Sequence, residues 1–265
     1  MKRVVVAIVL GALVLAAVLW LPAWALAALI FGAAAAGLAE YSRMFFADRV
    51  ERWATFAAGA LLALWMMGPA PWRKAAALGI VAALFALALV FMVRARALDR
   101  VAERLGLALM GAIYLGVAFP IWSWFLRMHS GRALILIAIV PACLCDVFGL
   151  VAGKAFGRHK LAPSVSPNKT VEGLAGSLVG SAVGVAAVRF AMLPELSLAF
   201  AAVLALVVWI VSPLGDLIES MLKRSCGLKD SGSVIPGHGG LLDRLDALIF
   251  TAPAAYAYFR YVVGM

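Results

Sequence analysis

Apolar positions in this chain fall in long unbroken runs, separated by short polar and mostly basic connections. That pattern predicts helices that cross a bilayer, since about 20 apolar residues at 1.5 Å each span its hydrocarbon core. Nine runs stand out, over Val4–Leu21, Trp24–Ala39, Trp53–Gly68, Ala75–Val93, Leu105–Leu126, Leu134–Gly153, Gly173–Leu193, Leu198–Val211 and Ala247–Val263. The first two would together be too long for one crossing, so Pro22 is expected to break them. Lys2 and Arg3 ahead of an apolar run also have the look of a secretory leader. A retained helix is expected, because the apolar character continues beyond Ala25.

With nine crossings, alternate connections lie on opposite sides of the membrane, and the basic residues then divide unevenly. Of 23 Lys and Arg, 17 fall on the side of the N-terminus, Lys154, Lys169, Lys223 and Arg244 among them, and 6 on the other. The positive-inside rule therefore predicts a cytoplasmic N-terminus and an outside C-terminus, in a bacterial inner membrane. The two longest polar connections, Lys154 to Glu172 and Ser212 to Asp246, share the cytoplasmic side, so chemistry is expected there.

Composition agrees. Hydrophobic residues make up 66% of the chain and charged residues 14%, with a mean hydropathy of +1.05, far outside the range of a water-soluble domain. Unbroken runs in place of short alternating segments exclude a membrane β-barrel. The expected fold is an all-α polytopic helix bundle of about nine crossings. It is expected to be a single domain over 1–265, with N-terminal helices in 1–133 and the polar motifs in 134–265.

A formal charge of +10 would suit nucleic acid, but the basic residues sit in inter-helix segments, where they make a membrane rim instead. Cys143, Cys145 and Cys226 have no zinc-site spacing and are expected as reduced thiols. Gly176-xxx-Gly180-xxx-Gly184 suggests close helix packing, within the bundle in preference to a homodimer seam.

Ionisable groups near lipid are costly unless paired, metal-bound or wet, and their density peaks between Asp216 and Asp246. Five carboxylates, four Lys or Arg and His238 fall in that stretch. On a continued helix, Asp216, Glu219, Ser220 and Lys223 share one face. Pro236-Gly237-His238-Gly239-Gly240 is a turn whose backbone N–H groups suit a phosphate. Asp243 and Asp246 follow one helical turn apart, a spacing that lets two carboxylates converge on a hard cation. Spacing alone equally allows a solvated loop of paired charges. A zinc site on His238 and Cys226 lacks further ligands.

The stretch from Ser220 through Lys223-Arg224, Lys229-Asp230 and Pro236-Gly-His238-Gly239-Gly240-Leu-Leu-Asp243-Arg244-Leu-Asp246 resembles the signature of phosphatidate cytidylyltransferases, also called CDP-diglyceride synthases. A looser resemblance covers Asp146, Gly153, Phe156-Gly157 and Ser166-Pro-Asn-Lys169-Thr170-Val-Glu-Gly173. There the chain departs from the family pattern at Leu150, Asn168 and Val171.

The resemblance implies a Mg²⁺-dependent transfer of CMP from CTP to phosphatidic acid, with a second cation also compatible, giving CDP-diacylglycerol and pyrophosphate. It implies Asp216, Asp243 and Asp246 as metal ligands, with Asp146 as an additional ligand or orienting group. Lys223, Arg224, Lys229 and Arg244 would contact phosphates, Asp230 and His238 would belong to the catalytic turn, and Ser166, Lys169, Thr170, Ser220, Gly239 and Gly240 would hold substrate. Implied partners are CTP, phosphatidic acid and membrane lipids, with no nucleic acid.

Other classes fit less well. The Asp-Gly then Ala-Arg pattern of CDP-alcohol phosphotransferases is absent, Gly149 to Ala155 has the wrong spacing for a P-loop, and no inverted repeat of the kind found in secondary transporters stands out.

Overall fold

The computed structural model describes residues 2–94, 100–232 and 239–265, the side chains of 2–8 excepted. The described chain is mostly helical: α1 (Lys2–Trp20), α2 (Ala23–Phe45), α3 (Arg49–Met67), the short α4 (Ala70–Lys74), α5 (Ala76–Arg94), α6 (Val101–Ile113), α7 (Trp122–Phe125), α8 (Gly131–Phe156), α9 (Val171–Met192), α10 (Leu198–Ser225) and α11 (Leu242–Ala257). A π turn at Tyr114–Ala118 and a 3-10 turn at Phe119–Ile121 join α6 to α7, where Pro120 supplies no N–H to the helical ladder.

Every one of the nine apolar runs falls on a helix, and α1 and α2 are separated at Pro22. The all-helical, polytopic expectation holds in outline. Among the described residues, six helices are long and apolar enough to cross a membrane: Ala23–Phe45, Ala76–Arg94, Val101–Phe125, Gly131–Phe156, Val171–Met192 and Leu198–Ser225. The helix α3 opens on Arg49, Glu51 and Arg52, and α11 has only 16 residues and opens on Asp243, Arg244 and Asp246, so neither reaches that standard. Among the described residues, a short ribbon departs from an all-α fold. Strands β1 (Lys160–Ala162) and β2 (Ser166–Thr170) form a small antiparallel ribbon between α8 and α9, pairing Lys160 with Thr170 and Ala162 with Ser166.

The chain divides into two compact units. One comprises Met1–Leu21, Phe125–Lys229 and Arg244–Met265. Its centre is the α8–α9 pair, which the ribbon turns back on itself. Small residues let the two backbones meet: a Cβ added to Gly180 would stand 2.8 Å from the Leu144 carbonyl carbon and 2.9 Å from Phe148 Cβ, and one added to Gly184 would stand 2.5 Å from Pro141 Cα. The Gly176, Gly180, Gly184 stripe thus packs inside the unit, as its spacing predicts. Thr170 caps α9, its Oγ1 accepting from Gly173 N at 3.1 Å. Arg132 at the start of α8 donates to the carbonyls of Val18, Leu19 and Leu21, satisfying the C-terminal end of α1.

The other unit comprises Pro22–Trp124 and Asp230–Asp243. Its α3 packs against α2, α5 and α6 around Leu62, Ala83 and Ala112, with Phe46, Leu87, Phe91 and Ala108 forming a second cluster. Asp48 caps α3, accepting from Val50 N at 2.8 Å and Glu51 N at 3.1 Å. The Arg94 guanidinium at 3.0 Å holds the Asp48 carboxyl below its usual range. Buried Glu51 pairs with Arg104, and Tyr41 donates to Leu107 O at 2.8 Å. Large apolar side chains such as Phe85 and Val93 are exposed on α5, as a lipid-facing surface requires.

Candidate active site

In the first unit, four of the sequence-predicted site residues line a cavity of about 610 Å³. Asp146 comes from α8, Lys169 and Thr170 from the end of β2, and Asp216 from α10. Lys169 Nζ lies 2.5 Å from Asp216 Oδ2, and Ser220 Oγ donates to Asp216 Oδ1 at 3.3 Å. Lys169 also donates to Pro213 O at 3.4 Å. Both Asp216 oxygens are therefore engaged, one by a cation and one by a hydroxyl.

Gly215 explains how α11 comes so near. A Cβ there would lie 2.5 Å from Asp246 O and 3.2 Å from Ala247 Cα, so only glycine allows α10 to meet α11 at this level. That approach puts Asp246 within electrostatic reach of Asp216, Asp146 and Glu219. Arg244, one residue pair earlier on the helix, lies within reach of Asp146. Asp246 Oδ1 accepts from Ala247 N at 2.7 Å.

One turn beyond Asp216, Glu219 is fully buried and Lys223 Nζ sits 2.5 Å from its Oε2. The i,i+4 spacing predicted from sequence makes this pair, and it sets the Lys223 ammonium on the same helix face as Asp216. Arg224 points elsewhere. It donates from Nε to Val165 O at 3.5 Å and from Nη1 to Leu228 O at 3.2 Å, tying the end of α10 to the ribbon turn. Ser166 pairs within the ribbon and is not part of the cavity wall, and Thr170 uses its hydroxyl to cap α9. Lys229 is exposed. Glu172, at the start of α9, holds the other end of the ribbon, accepting from Arg158 N at 3.0 Å and meeting His159 Nδ1 at 2.6 Å.

The second unit holds Asp230, Ser231, Gly239, Gly240 and Asp243. His238 lies outside the described residues. Asp243 Oδ2 accepts from Ser231 N and Ser231 Oγ at 3.0 Å each and from Gly240 N at 2.7 Å. Gly239 has φ +80, a backbone that favours glycine. The residue that sequence reasoning missed is Glu40 on α2. It is buried, and it accepts from Ser231 Oγ at 3.1 Å, Leu241 N at 2.9 Å and Leu242 N at 2.7 Å. Its signal was present: a carboxylate at the very end of an apolar run, although Arg43 three residues on offers an ordinary local partner.

The donor chemistry of Asp146, Asp216 and Asp246 suits a hard divalent cation, which takes carboxylate oxygen and keeps several waters. Among the described residues no three acidic, His or Cys side chains yet stand in a closed ligand set, and Lys169 supplies the positive charge beside Asp216.

Comparison with known proteins gives the family. Phosphatidate cytidylyltransferases of Staphylococcus haemolyticus and Bacillus subtilis are each 37% identical, over 145 and 160 residues, covering 55% and 58% of both this chain and the relative. The Thermotoga maritima phosphatidate cytidylyltransferase is 37% identical over 154 residues, 54% of this chain and 56% of its own length. The aligned chain thus spans about half the length of these relatives. The profile of the Cytidylyltransferase family, by contrast, matches residues 1–262, nearly the whole sequence. With a family match over residues 1–262, the chain belongs to the cytidylyltransferase family.

Proposed function

We propose that this chain transfers CMP from CTP to phosphatidic acid, releasing pyrophosphate and leaving CDP-diacylglycerol for phospholipid synthesis. The observation that carries this reading is the cavity where Asp146, Lys169 and Asp216 meet, beside Asp246, in a chain whose Ser220–Asp246 stretch has the cytidylyltransferase signature.

The chemistry joins two anions. A phosphatidate oxygen forms a bond to the α-phosphorus of CTP, the α–β anhydride bond breaks, and pyrophosphate leaves with the electron pair. A phosphate monoester is already nucleophilic, so the demand on the protein is alignment and charge neutralisation more than proton removal. Lys169, Lys223 and Arg244 supply fixed positive charge around the acidic cluster. Mg²⁺, alone or with a second cation, would be held by Asp216 and Asp246 with Asp146 beside them, and would neutralise charge on the transferring phosphate and its leaving group. The resemblance also implies Asp243 as a ligand; within the second unit its Oδ2 organises the turn around Ser231 and Gly240.

The proposed setting is a bacterial inner membrane, with the N-terminus and the active site on the cytoplasmic side. That orientation rests on the 17 to 6 division of basic residues under nine crossings, and it places the site where CTP is made. Purified chain in detergent, given CTP and phosphatidate, is expected to form CDP-diacylglycerol and pyrophosphate, with ATP, GTP and UTP poor donors. CTP breakdown indifferent to the lipid would overturn the reading.

A further inference from the structure

A carboxylate from α2 reaches the motif turn from more than 190 residues away in sequence. Glu40 is 3% exposed, and among the described residues it accepts from three donors flanking the turn: the Ser231 hydroxyl before it, and the N–H groups of Leu241 and Leu242 after it. Leu242 opens α11. Its N–H and that of Leu241 belong to the helix N-terminus, where no intrahelical carbonyl is available and negative charge is favoured. Glu40 thus acts as a capping carboxylate supplied by a different helix.

The turn is shaped to admit it. A Cβ on Gly232 would stand 2.9 Å from Glu40 Oε1, and one on Gly240 would also collide with the carboxylate. The Ser231 hydroxyl lies between Glu40 Oε2 at 3.1 Å and Asp243 Oδ2 at 3.0 Å, so the α2 carboxylate and the motif carboxylate share one partner.

We infer that Glu40 is a positioning residue, holding both ends of the glycine turn so that Asp243 and the start of α11 keep one geometry. The role in turnover rests on the proposed cytidylyltransferase activity, while the anchoring itself does not. A neutral isostere should fail, because an amide NH₂ in place of one oxygen would face a donor where an acceptor is needed.

The experiment compares full-length wild type with Glu40→Gln and Glu40→Asp in detergent. Hydrogen–deuterium exchange of the peptide containing Leu241 and Leu242 reads the anchor, and kcat and KM for CTP and phosphatidate read its consequence. Glu40→Gln is expected to speed exchange at those amides and to lower kcat, each by about ten-fold or more, the factor that one hydrogen bond to a charged group carries. Both KM values should stay within about two-fold, since a misplaced turn costs the transition state more than ground-state binding. Glu40→Asp, shorter by a methylene but still anionic, should fall between.

Unchanged exchange in Glu40→Gln would overturn the anchor, and faster exchange with unchanged kcat would overturn the positioning role. A wild-type chain without cytidylyl transfer would sink the proposed function, and with it the role in turnover, while exchange still decided whether Glu40 holds the turn. If Glu40→Gln does not elute as a single species, Gly232→Ala takes its place. It leaves the carboxylate intact and wedges a methyl against Oε1, with the same outcomes expected.

Discussion

Lys169 and Asp216, from the two longest polar connections of the chain, meet at 2.5 Å on the wall of one cavity. The ion pair is about three-quarters shielded on each side, with 24% and 27% of the side chains exposed. Removing one partner leaves the other poorly solvated, which costs more than the pair itself contributes.

Lys169→Met is therefore expected to lower turnover by ten-fold or more, on the order of 1.4 kcal/mol in the barrier, and to lower the thermal midpoint. Lys169→Met combined with Asp216→Asn should recover the midpoint without recovering activity. Thermal unfolding in detergent beside CTP turnover separates the two effects, and recovery of both would make the pair purely structural.

Asp246→Asn is nearly isosteric and should leave elution unchanged. If its carboxylate holds Mg²⁺, turnover falls by about two powers of ten, the scale of a lost Lewis-acid interaction, and the Mg²⁺ needed for half-maximal rate rises. Glu195→Gln, at an exposed position in the turn between α9 and α10, should be silent. A near-normal rate for Asp246→Asn at limiting Mg²⁺ would remove it from the ligand set.

Gly180→Leu would force a side chain into the Leu144 backbone and the Phe148 Cβ, where α8 and α9 touch. Overpacking of this kind costs about 1–3 kcal/mol, so the midpoint should fall and the cavity residues carried by both helices should shift. Gly11, with open space around its added Cβ, should accept alanine without loss. Equal midpoints for Gly180→Leu and wild type would mean that the helices part more easily than their contact suggests.

Orientation is checked with single cysteines at Ser164 and Lys229, both exposed, in a chain lacking the native thiols. Both should resist an impermeant thiol reagent in intact cells and react once the membrane is opened. Labelling of both in intact cells would reverse the proposed orientation and separate the site from cytosolic CTP.

What sequence makes legible here follows the range of the interactions. The apolar runs mark the helices because burial in lipid and helix period are local properties, and Gly176, Gly180 and Gly184 announce a close face because small residues at that spacing do little else. Glu219 and Lys223 pair as i,i+4 spacing predicts. The ribbon at Lys160–Thr170 was not legible, since Ser166-Pro-Asn-Lys-Thr has neither alternation nor β-branched character before Thr170. The resemblance implies a phosphate contact for Arg224, but its reach to Val165 O was not legible, since it depends on where the ribbon turn lies. Glu40 shows in the sequence as a carboxylate closing an apolar run, but its role was hidden for the same reason: its described partners on the turn lie 191 or more residues further along the chain.

That separation has a consequence for how the protein is made. At roughly 5–20 residues per second of synthesis, α2 emerges about 10–40 s before Ser231, which follows Glu40 by 191 residues. Throughout that interval the helix carries a carboxylate at the end of its apolar stretch, while the three donors that later surround it do not yet exist. An unpaired carboxylate in the bilayer is costly, so Glu40 must wait hydrated at the membrane edge or sheltered by the insertion machinery. The stretch that carries Ser231, Leu241 and Leu242 then brings the donors that settle this early charge.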